Sequence, residues 1–122
     1  MAFVLSKSAT YTWPVRITLA TDGGKQTIET LDAEFRRLPQ SRINEIVRQA
    51  RAAERGRGDD DQIEDQDAAR EILAGWDGVT GDDGKAIPFS EAALAQLLEI
   101  PTVAGQIVKA WFESLKEGKR KN

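Results

Sequence analysis

Apolar and polar residues alternate along the first third of the chain, and the period then lengthens. Trp13, Val15, Ile17 and Leu19 are separated by Pro14, Arg16 and Thr18. A period of two predicts a half-buried β-strand. Pro14 has no N–H to give to a ladder, so it argues for an edge strand or a strand start. Asp22-Gly23-Gly24-Lys25 predicts a turn, because glycine enters positive φ at little steric cost. A second strand follows from Gln26. Ile28 and Thr30 share one face, and Leu31, Ala33 and Phe35 share the other. That change of phase predicts a β-bulge between Ile28 and Leu31. Residues 12–36 thus read as a β-hairpin, which needs helices over one face to be stable in water.

From Pro39 the spacing becomes helical. Ile43, Ile46, Val47 and Ala50 form one stripe of a helix over Pro39–Arg55, with Ser41 as its N-cap. Ala69, Ile72, Leu73 and Trp76 predict a second helix over Asp67–Trp76, whose last turn Gly75 weakens. Residues 77–88 read as a Gly/Asp loop. Ser90 is the expected N-cap of a third helix, with Phe89 and Leu94 at the spacing of a hydrophobic staple. Pro101 suits the first residue of a fourth helix reaching Lys116. The expectation is a mainly helical α+β fold, an N-terminal β-hairpin packed with about four α-helices. One domain spans residues 1–122, with the hairpin at 12–36, the helical part at 39–117 and a polar tail at 117–122.

Charge adds a boundary that hydropathy does not. Residues 1–58 carry ten Lys/Arg and six Asp/Glu, residues 59–84 one and ten, and residues 85–122 six and four, giving +4, −9 and +2. The junction holds Gly56, Gly58 and the run Asp59-Asp60-Asp61, and it predicts a mobile connection over 55–64. The net charge of −3 argues against a nucleic-acid reader. No apolar run approaches the ~20 residues that span a bilayer, and Met1–Leu5 is too short for a signal peptide.

The chain has no cysteine and no histidine. The commonest general base, the commonest transition-metal ligand and the thiolate nucleophile are therefore missing. The acidic run 59–67 and the segment 77–84 lack the EF-hand order of ligands and read as solvated loops. No pair of carboxylates is placed in an apolar pocket by the pattern, and Gly56-Arg57-Gly58 lacks the Lys-Ser/Thr of a phosphate loop. The expectation is a protein-binding domain, not an enzyme, with no catalytic, cofactor or metal residues. The last helix offers a candidate surface. Adjacent Trp111 and Phe112 point roughly 100° apart on a helix, so both cannot share one narrow stripe. Val108, Trp111, Phe112 and Leu115 are the candidate residues for contact with a partner or a second copy.

The segment Ile72–Ser90 resembles the tail assembly chaperones of long-tailed bacteriophages. The resemblance rests on Trp76, Gly78, Val79, Asp83, Gly84, Pro88, Phe89 and Ser90, with Ala33–Pro39 upstream, and the order of elements agrees over residues 12–117. These motifs are structural, not chemical. The resemblance implies a protein of the bacterial host cytoplasm that binds the tape-measure protein, helps bring tail-tube subunits to it, and is absent from the mature virion. It also implies a programmed ribosomal frameshift near the end of the domain, and Glu117-Gly118-Lys119 can be encoded by a slippery run. An adaptor or regulatory domain and a structural tail component are the alternatives. Nothing in the resemblance implies nucleic-acid or membrane partners.

Overall fold

Two long antiparallel strands, β1 (Thr10–Ala20) and β2 (Gln26–Arg36), realise the alternating pattern. The computed structural model describes residues 9–54 and 65–120. Thr21 N–H donates to Lys25 O at 2.7 Å, and Gly23 and Gly24 between them take φ of 75° and 78°. Only residues tolerant of the left-handed region close a turn in this way. Pairing is continuous from Thr10↔Arg36 to Ala20↔Gln26, so there is no bulge between Ile28 and Leu31. Ile28 instead stays in phase on the outer face, 56% exposed, while Leu31, Ala33 and Phe35 are buried on the inner face with Val15 and Ile17.

A third strand, β3 (Leu73–Asp77), pairs antiparallel with β2 and gives the order β1-β2-β3. This corrects the expected helix over Asp67–Trp76. Helix α2 runs only from Asp65 to Ile72 and passes directly into β3. The guanidinium of Arg36 explains how a helix can end there without a loop. Its Nη1 donates to the carbonyls of Arg70 (3.3 Å), Glu71 (2.9 Å) and Leu73 (2.5 Å). The first two lie in the last turn of α2, where a helix end leaves its carbonyls without partners, and Leu73 opens β3. The sheet's bulge lies between Glu34 and Phe35, opposite β3.

The remaining helices are α1 (Gln40–Glu54), α3 (Glu91–Glu99) and α4 (Val103–Arg120), which completes an α+β architecture. Helix α1 starts one residue before Ser41, which is therefore not its N-cap; Pro39 O accepts from Arg42 N and Ile43 N. Ser90 does cap α3, accepting from Ala93 N at 3.1 Å. Pro101 does not open α4. Thr102 follows it at φ 71°, a conformation that breaks a helix, and Thr102 O accepts the bond from Gln106 N. Helix α4 continues beyond Lys116 to Arg120. The expected mobile connection, 55–64, lies outside the described residues, as do the last two residues of the expected tail.

Helix α4 packs against β1, α2 and α3. Val103, Ala104, Ile107, Val108 and Trp111 are buried along its inner stripe. Gln106 closes part of the open edge of β1: its side-chain amide accepts from Thr18 N at 2.8 Å and donates to Thr18 O at 2.9 Å. A side chain here supplies the two bonds a further strand would make. Pro14 blunts the same edge by removing a donor.

Helix α1 is pinned by buried Ile46 and by a two-pronged ion pair between Arg42 and Glu71 (Nε–Oε2 2.5 Å, Nη2–Oε1 2.6 Å). Hydrogen bonding from Arg42 holds the Glu71 carboxyl below the usual carboxylate range. A lowered folded pKa gives stability that is present above the unfolded pKa and is lost as pH falls through the folded value. Both side chains are 30% exposed, so solvent screens the pair. Glu71→Gln should cost about 1 kcal/mol at neutral pH, and the difference from the parent should shrink as pH falls below the unfolded carboxylate value of about 4.3 and be gone in acid below the lowered folded value. Urea unfolding of both proteins at the two pH values checks this; a pH-independent difference would contradict it.

Candidate functional site

The segment 73–90 folds as one unit beside the sheet. Gly78 turns the chain out of β3 at φ 88°, where an added Cβ would meet Leu31 Cα at 3.6 Å. Glycine is needed for the φ more than for the space. A small antiparallel hairpin follows. Thr80 bridges Ala86, Ile87 N donates to Val79 O at 2.8 Å, and Gly81 N donates to Lys85 O at 3.0 Å. Gly84, at φ 78°, sits in its turn, and Asp83 Oδ1 accepts from Lys85 N at 3.0 Å. Trp76 locks the unit: its indole N–H donates to Ile87 O at 2.8 Å, and Phe89 stands edge-on to its ring with centroids 4.9 Å apart. Pro88 is exposed between these anchors, and Ser90 passes the chain into α3.

This unit forms one wall of a surface groove of about 250 Å³. Trp76, Val79 and Ile87 line that wall; Ile17, Leu19 and Leu31 of the hairpin form the floor; Leu97 and Ile100 close the far side from α3. Ile100 is 40% exposed there. Helix α3 explains why apolar surface is left over. It is apolar around most of its circumference, yet only Leu94 and Leu98 enter the core. Sequence reasoning singled out Trp76, Gly78 and Val79 of this groove as structural motif residues only, and did not foresee the groove, whose floor and far side come from the hairpin and α3.

The other candidate surface is largely internal. Val108 and Trp111 are buried in the core, at 6% and 1% exposure. Phe112 and Leu115 are half-buried and packed against it, with the Phe112 ring 4.9 Å from that of Trp111. The α4 stripe thus takes Trp111 inward and leaves Phe112 at its margin. Only Phe112 and Leu115 of that set keep accessible surface in the folded domain.

Among the described residues no group of three acidic or metal-ligating side chains is placed to hold a metal ion, and no helix is long and apolar enough to cross a membrane. Trp76 is half-buried, so Trp76→Ala should cost about 2–3 kcal/mol, below the range of a core tryptophan. Chemical denaturation checks this, and a neutral substitution would show that the wall does not depend on the indole.

A family model described as YdaY prophage protein matches residues 30–115. The chain belongs to the YdaY prophage protein family. The matched span contains β3, the 77–90 wall, α3 and most of α4, while β1, with Ile17 and Leu19, lies before it. No curated protein and no solved structure matches the chain. Family membership makes this a phage-derived protein.

Proposed function

We propose that this prophage protein is a non-enzymatic tail assembly chaperone. In this reading it binds the tape-measure protein in the host cytoplasm, helps recruit tail-tube subunits, and leaves before the virion is complete. The observation that carries the reading is the groove. Three of the residues through which the chain resembles such chaperones, Trp76, Gly78 and Val79, line it, and the lining is mainly apolar with Leu97 and Ile100 accessible. A chaperone for an elongated amphipathic partner needs such a surface, because the partner's uncovered apolar stripes aggregate.

Co-expression with the tape-measure protein of the same prophage tests the proposal. The tape-measure protein should shift from the pellet to the soluble fraction and co-purify with this chain, and mass spectrometry of purified particles should not find the chain. A tape-measure protein that stays insoluble would overturn the reading, and retention of the chain in particles would favour a structural tail component.

A further inference from the structure

The charges around the groove are mostly of one sign. Glu29 lines it directly. Asp82 and Asp83 are exposed in the turn between the lining residues Thr80 and Ile87, and Glu99 is exposed beside Ile100 at the end of α3. Lys85 is the basic residue of the wall segment, and Asp22 and Lys25 cancel in the hairpin turn beyond. Four carboxylates thus stand against Lys85 near the apolar lining, a local balance of −3. A low-dielectric cleft rimmed by one sign of charge attracts the opposite sign and rejects its own.

We propose that the groove takes an apolar helical segment flanked by lysine or arginine, and discriminates against one flanked by acidic residues. This rests on the reading of the groove as the partner site and names the chemistry of what enters it. An engineered cavity of ~150 Å³ accommodates a benzene-sized group. The larger groove therefore admits one large aliphatic or aromatic anchor and part of another, with Leu97 and Ile100 in contact. Basic residues flanking the anchor then meet Glu29, Glu99 and the turn aspartates Asp82 and Asp83.

The test uses two labelled synthetic amphipathic helices of about five turns, alike in their leucine face and flanked by either lysine or glutamate pairs. Binding is read by fluorescence anisotropy. The lysine-flanked peptide should bind at least about tenfold more tightly at low salt, and the preference should shrink as salt is raised. Glu29→Lys with Glu99→Lys should abolish or reverse the preference. Ile100→Ser should weaken both peptides, with an unchanged circular dichroism spectrum showing that the variant is folded. Equal affinities, a preference that survives charge reversal, binding indifferent to Ile100→Ser, or no binding of either peptide would overturn the proposal. The outcome separates from that of the functional reading. A tape-measure protein solubilised by this chain despite equal peptide affinities would sink only the charge rule. A clear lysine preference with no solubilisation would sink only the chaperone.

Discussion

Replacing Trp111 with alanine should destabilise the domain by about 3–5 kcal/mol, the cost of removing a buried aromatic and leaving most of its cavity. Trp111 is 1% exposed and ranks among the largest fully buried side chains, within the stripe that α4 turns toward the sheet. Its backbone carbonyl also accepts from Ser114 Oγ at 2.6 Å, and that oxygen shares a 2.7 Å bond with the Tyr11 hydroxyl. The cavity would thus open beside a polar link from α4 to β1. Total stabilities of small domains are only about 5–15 kcal/mol, so much of the margin goes with one side chain. Phe112→Ala should cost less, about 1–2 kcal/mol, because that ring is only half-buried. Urea midpoints for the two variants measure the difference. Equal losses would mean that the two aromatics share the core.

Phe35→Ala should be nearly as damaging, again about 3–5 kcal/mol. Phe35 is fully buried at the bulge where β2 changes register against β3, and the Tyr11 ring stands edge-on to it at 5.8 Å. Its ring fills the inner face beside the junction of α2 with β3, so the loss should fall on the pairing of β3 as well as on the core. Amide exchange should rise first across Leu73–Asp77 in the variant, before β1 and β2 respond. A uniform rise across the sheet would show that Phe35 supports the whole core and no particular strand.

The hairpin was readable because alternation, Pro14 and Asp-Gly-Gly are all local signals. Strand β3 was not. Ala69, Ile72, Leu73 and Trp76 fit a helix by spacing alone, and the decision for a strand is made by β2, some forty positions earlier, with Arg36 capping the shortened α2. Ile28 misled for a related reason: an exposed apolar residue on an outer face looks like a change of phase. The first residue of α4 depended on Thr102, whose backbone conformation no residue type announces. At the site, the wall from Trp76 to Ser90 was legible because its turn residues and anchors are contiguous. The opposite side was not, since Leu97 and Ile100 become a surface only once α3 is set against the hairpin floor.

The claim that a partner docks in this groove is tested most directly by hydrogen exchange on the chain alone and in its co-purified complex with the tape-measure protein. The account predicts added protection in residues 76–80 and 93–100, with little change along 103–111 of α4, whose inner stripe is already covered by the core. Protection confined to α1 or to the outer face of the sheet, with the groove unchanged, would contradict it.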